Sequence, residues 1–125
     1  MLATSLNSIR AISERSIRCE QNGETNKALR LAYSAVEYAL WCLGDRLESY
    51  HPGSHDVMEL YYGCMDEVSG QIEKSDISLV RELYENAEYD YEGMPGDGYY
   101  VNNILDVVRR LRVCVNRKRA ECWLC

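Results

Sequence analysis

The stretch Ala28–Leu43 constrains this chain more than any other. Leu29, Ala32, Val36, Ala39, Leu40 and Leu43 recur at three- and four-residue steps, and Ala28 and Ala35 widen the stripe. An apolar face that broad belongs to a helix covered on more than one side. Alanines on it let a neighbouring backbone come close, so the segment reads as the central helix of a bundle. Thr25 is placed to cap it, and the pattern has room to continue through Leu47 before His51-Pro52-Gly53 breaks it.

The same period marks four more helices. Leu6, Ile9, Ile12 or Ser13, Ser16 and Ile17 predict a first helix over Ala3–Gln21, ended by Asn22-Gly23. Ser54 is placed to cap a third, which carries Val57, Leu60, Tyr61, Cys64, Met65 and Val68. A fourth, capped by Ser75 or Asp76, runs Ile77–Tyr89 with Leu79, Val80, Leu83, Tyr84 and Ala87 inward. Residues 91–98, rich in glycine, read as a loop. The fifth helix, from Tyr99 or Tyr100 to Ala120, carries Val101, Ile104, Leu105, Val108, Leu111 and Val115. No alternating strand pattern and no repeat accompany them. The reading is an all-α, antiparallel bundle of about five helices. It forms one domain over residues 1–125, with a core over about 5–115 and a basic tail over 116–125.

Hydrophobic residues at 46% and charged residues at 27% exclude a disordered tract. No apolar run approaches the roughly 20 residues of a membrane helix, since Ser34 and Glu37 interrupt the longest. Met1-Leu2-Ala3-Thr4-Ser5 lacks a basic region followed by an apolar block, so a cytosolic protein with no membrane partner is expected. In that setting Cys19, Cys42, Cys64 and Cys114, each within a helical pattern, are expected as reduced, packed thiols. Cys122-Trp123-Leu124-Cys125 has the Cys-x-x-Cys spacing but follows a helix rather than opening one. A frayed, oxidation-prone tail and pairing with a partner chain are its two readings. No second Cys-x-x-Cys exists, and Pro52-Gly53 separates His51 from His55, so neither a metal site nor a cofactor is expected.

Charge is unevenly distributed. Residues 101–125 hold six basic side chains (Arg109, Arg110, Arg112, Arg117, Lys118 and Arg119) against Asp106 and Glu121, a net of +4. The chain's other basic and acidic groups number 8 and 18, and the whole carries −6. Clustered guanidiniums suit phosphate, so these six are the candidate phosphate or nucleic-acid contacts. The alternative is structural: cations near a helix C-terminus, paired with the helix dipole or the chain's own acidic surface.

Three stretches resemble the HEPN family of prokaryotic helical domains. They are the alanine- and tyrosine-rich helix Asn26–Leu40, the opening Gly53-Ser54-His55-Asp56-Val57, and Leu83–Gly93 with its Ala87-Glu88-Tyr89. The likeness spans roughly residues 5–115. It implies a HEPN-like bundle and a homodimer. It also implies RNA or nucleotide binding, or partnership with a nucleotidyltransferase-type protein in a toxin–antitoxin pair. RNase members of the family place an Arg and a His, with four to six residues between them, in the region resembling Leu83–Tyr89; this chain has no histidine there. The expected function is therefore non-catalytic binding of a protein partner or a nucleotide or RNA ligand. The enzymatic alternative is a metal-independent endoribonuclease using Arg46 and His51, the chain's own Arg-four-His spacing. There the arginine would stabilise phosphate charge and the histidine move a proton. Tyr33, Trp41, Tyr61 and Tyr62 are the candidate dimer contacts. Adjacent helix residues point about 100° apart, so of Tyr61 and Tyr62 one is expected inside and one outside.

Overall fold

The computed structural model describes residues 2–44, 50–90 and 98–124. They are all helical in architecture, with no strand among them. The elements are α1 (Leu2–Gln21), α2 (Thr25–Leu43), α3 (Val57–Tyr62), α4 (Met65–Val68), α5 (Lys74–Asp90) and α6 (Tyr99–Leu124). No described helix is long and apolar enough to cross a membrane.

The core forms around α2. Ala28, Leu29, Ala32, Ala35, Val36, Ala39, Leu40 and Leu43 are all buried, against Ile9 of α1 and Ile104, Val108, Leu111 and Val115 of α6. The apolar stripe on α1 turns differently from its sequence pattern. Ser13 and Ser16 are buried while Ile17 is 44% exposed. Serines fit here because each hydroxyl finds a carbonyl: Ser13 donates to Ile9 at 2.9 Å and Ser16 to Ala28 at 2.7 Å. The second bond ties α1 to α2 across their narrow gap, where a bulkier side chain would hold them apart. A matching rotation occurs on α5, where Ile77, Val80 and Leu83 are buried and Leu79 is 42% exposed.

Helix ends explain the remaining departures. Gly23, at φ +80°, closes α1 in a Schellman turn, with its amide donating to Glu20 and that of Glu24 to Cys19. Thr25 is the first residue of α2 rather than its cap; Glu24 stands at that position without a side-chain bond. The expected third helix is two short ones. Gly63, a poor helix former, ends α3, and Cys64, at φ −139°, starts a fresh turn. Asp56, not Ser54, caps α3, its Oδ1 accepting from the Met58 amide at 3.1 Å. Asp76 lies inside α5 and reaches back to the Glu73 amide at 2.8 Å.

Helix α6 lies antiparallel to α1. Leu6 and Asn116 line one groove, while at the other end Glu20 approaches Gly98. Three of its basic residues serve other elements. Lys118, buried, donates to the carbonyl of Leu43, the last residue of α2, at 2.8 Å. Arg117 donates to the carbonyls of Glu67 and Ser69 at the end of α4, and Arg110 to that of Gln71 and to Asp76. A cation at a helix C-terminus satisfies carbonyls that have no partner within the helix and opposes the negative end of its dipole.

Candidate functional site

Two of the concave regions among the described residues hold arginine side chains. The first forms where α2, α5 and the Tyr50–His55 segment meet, and its foundation is Glu37. This carboxylate is 0% exposed, on a helix otherwise surrounded by apolar neighbours. A buried carboxylate is costly unless its oxygens are occupied. Here Oε1 accepts from the Tyr50 hydroxyl at 2.7 Å and the Gly53 amide at 2.9 Å, and Oε2 from the His55 amide at 3.3 Å. Glu37 thus fixes a non-helical segment from beneath. Gly53 sits at φ +80°, a conformation side-chain-bearing residues rarely adopt. Tyr50 also packs edge-on against Tyr38 at 4.9 Å and beside Trp41 at 5.7 Å.

Above this foundation opens a cavity of about 380 Å³ lined by Arg30, Tyr33, Ser34, Pro52, Gly53, His55 and Tyr84. Tyr33 of α2 and Tyr84 of α5 stack with centroids 4.1 Å apart and planes 20° from parallel. Burial, with Glu37 next in effect, pushes the Tyr33 hydroxyl up to about 12. Burial likewise raises Tyr50, helped by its bond to Glu37. Both phenols are therefore neutral hydrogen-bonding groups at ordinary pH. Arg30 is exposed at this cavity, and no hydrogen bond or ion pair engages it among the described residues.

The second region is a groove of about 410 Å³ between α1 and α6, lined by Leu6, Arg10, Arg109, Arg112, Val113 and Asn116. Arg109, Arg112 and Asn116 follow three- and four-residue steps and share one face of α6, while Arg10 comes from α1. Arg109 is bonded to Asp106, and the guanidiniums there hold that carboxyl below its usual range. Arg10 and Arg112 make no ion pair among the described residues.

The sequence candidates separate accordingly. Of the six proposed phosphate contacts, the structure brings Arg109 and Arg112 into the groove and adds Arg10. Arg110, Arg117 and Lys118 are engaged at helix ends, and Arg119 bonds Asn116 at 2.8 Å. Arg46 of the Arg46–His51 pair lies outside the described residues; His51 is exposed just before the Pro52-Gly53 turn. Residues 91–97, most of the glycine-rich loop, lie outside as well, and so does Cys125. Cys19, Cys42, Cys64 and Cys114 are buried, and burial raises the thiols of Cys42 and Cys114. Of the interface candidates, Tyr61 is buried and Tyr62 is 52% exposed, with the Lys74 ammonium 5.7 Å from its ring centre. Tyr33 and Trp41 are half-buried within the aromatic contacts already described. Among the described residues no group of three His, Cys, Asp or Glu is arranged to hold a metal ion. Glu37 is the residue that sequence reasoning missed. Its signal was present, because a lone carboxylate on a helix apolar on most sides has to be buried and bonded.

No family model, curated protein or solved structure matches the chain.

Proposed function

We propose that this chain is a helical binding domain of HEPN type. It takes a phosphate-bearing ligand, a nucleotide or RNA, in the groove between α1 and α6 and performs no catalysis of its own. The observation that carries this reading is the convergence of Arg10, Arg109 and Arg112 on one concavity of an otherwise acidic chain. Arg10 and Arg112 have no carboxylate partner among the described residues, and such guanidiniums are the groups that pair with phosphate oxygens, while Arg109 enters the groove already bonded to Asp106. The HEPN assignment draws on the Asn26–Leu40 helix and the Gly53–Val57 turn, which form α2 and the entry to α3. A homodimer joined through the exposed Tyr62 and Met65 belongs to the same reading.

Titration with inorganic phosphate and with a short single-stranded RNA tests the groove. Replacing Arg10 and Arg112 together by alanine is expected to weaken binding by about tenfold or more, with affinity falling as salt rises. Arg117→Ala, which removes a guanidinium engaged at α4, is expected to leave it unchanged. Equal binding by the double variant overturns the reading. A ribonuclease assay on the same protein and on His51→Ala separates the enzymatic alternative: cleavage abolished by His51→Ala favours it, and no cleavage in either protein favours binding.

A further inference from the structure

The cavity over Glu37 lies away from the arginine groove, and its chemistry is different. We propose that it is a second, independent site for a small ligand that joins a flat aromatic ring to a single anionic group. Three observations lead there. Its volume of about 380 Å³ falls in the range of small-molecule clefts, roughly 300–1,000 Å³. Its walls are already built: Tyr33 and Tyr84 are stacked on each other, and three hydrogen bonds to Glu37 hold the Tyr50–His55 segment in place. A ligand entering such a site orders little that is not already ordered.

The polar groups set the ligand's charge. Arg30 brings one guanidinium with no carboxylate partner among the described residues, which calls for an anion. Glu37, the one buried carboxylate here, already accepts three hydrogen bonds from the segment it holds, so it serves the fold rather than the ligand. His55 Nε2, in the same wall, is buried without a hydrogen-bond partner among the described residues. It is a polar requirement that the fold leaves open for a ligand oxygen. The two phenol rings supply the aromatic surface on which a flat ring packs better than a puckered one. One positive charge and one aromatic wall match a ring carrying one acid group. That acid is either a carboxylate or the phosphate of a nucleoside monophosphate.

Amide-resolved NMR titration tests this on the intact chain, with benzoate, adenosine monophosphate and cyclohexanecarboxylate as probes. Benzoate or adenosine monophosphate is expected to shift the amides of Arg30–Ser34 and Gly53–His55, with a dissociation constant of about 1 mM or tighter. The probe that does so identifies the acid. Arg30→Gln, an exposed substitution outside the core, is expected to weaken the effect about tenfold and Tyr84→Ala to do the same. Absence of shifts from both aromatic probes at about 10 mM overturns the proposal. Shifts that survive Arg30→Gln, or that cyclohexanecarboxylate reproduces at equal concentration, overturn it too. Shifts confined to Arg10, Arg109 and Arg112 would report the α1–α6 groove and count against this cavity, so the two sites fail separately.

Discussion

Glu37 shows how one residue determines a segment that has no helix of its own. The Tyr50–His55 stretch contains a proline and a glycine at positive φ, and it has little regular hydrogen bonding to hold it. Its amides at Gly53 and His55 and its Tyr50 hydroxyl converge on one carboxylate instead. Glu37→Ala leaves those three donors without their acceptor in a partly buried place. The expected loss of stability is about 3 kcal/mol, read as a lower urea midpoint with an unchanged slope. A loss under about 0.5 kcal/mol would mean that water replaces the carboxylate without cost. In the sequence Glu37 looked like a polar interruption of an apolar run. Periodicity says which residues are inside. It does not say which distant loop brings donors to a polar one, so the cavity above Glu37 was not legible, whereas the stripe that flanks it was.

Among elements, α2 was the most legible, because burial on nearly every side leaves its pattern little freedom. Helices with a single buried face were less so. Ile17 and Leu79 fit their stripes by spacing, yet both are exposed; on α1 the buried Ser16 faces α2 instead, bonding the Ala28 carbonyl, a contact that no local pattern encodes. The basic run on α6 carried two open readings, and the structure divides it between them. Arg110, Arg117 and Lys118 are engaged at the ends of other elements, while Arg109 and Arg112 face the groove. Lys118 illustrates the structural use best, since its ammonium is buried on the carbonyl that ends α2. Lys118→Met keeps most of the apolar stem and removes the charge. It is expected to cost about 2 kcal/mol, visible as a lower thermal midpoint. The same substitution at exposed Arg109 is expected to change stability by less than about 0.5 kcal/mol.

At the scale of the molecule, twelve aromatic side chains are distributed over a small body. Those described pair with one another: Tyr33 with Tyr84, Tyr38 and Trp41 with Tyr50, Tyr61 with Tyr62, Tyr99 with Tyr100. Tyr62 also reaches the surface, 52% exposed, near Met65 at 48%. Light scattering across micromolar to millimolar protein is expected to give twice the 14.4 kDa chain mass, and Tyr62→Glu to return it to one. A single-chain mass at every concentration would remove the dimer. The reach of α6 has a consequence of a different kind, in time rather than in space. A ribosome makes the chain from its N-terminus at roughly 5–20 residues per second. The last carbonyls of α2 and α4 are therefore formed well before Arg117 and Lys118 exist to receive them. Until α6 emerges, the earlier helices lack both the wall that closes their core and the charges that finish their ends. The nascent chain then exposes Leu40, Leu43 and Val68 to whatever apolar surface it meets, and protection of these residues begins only when the final helix docks.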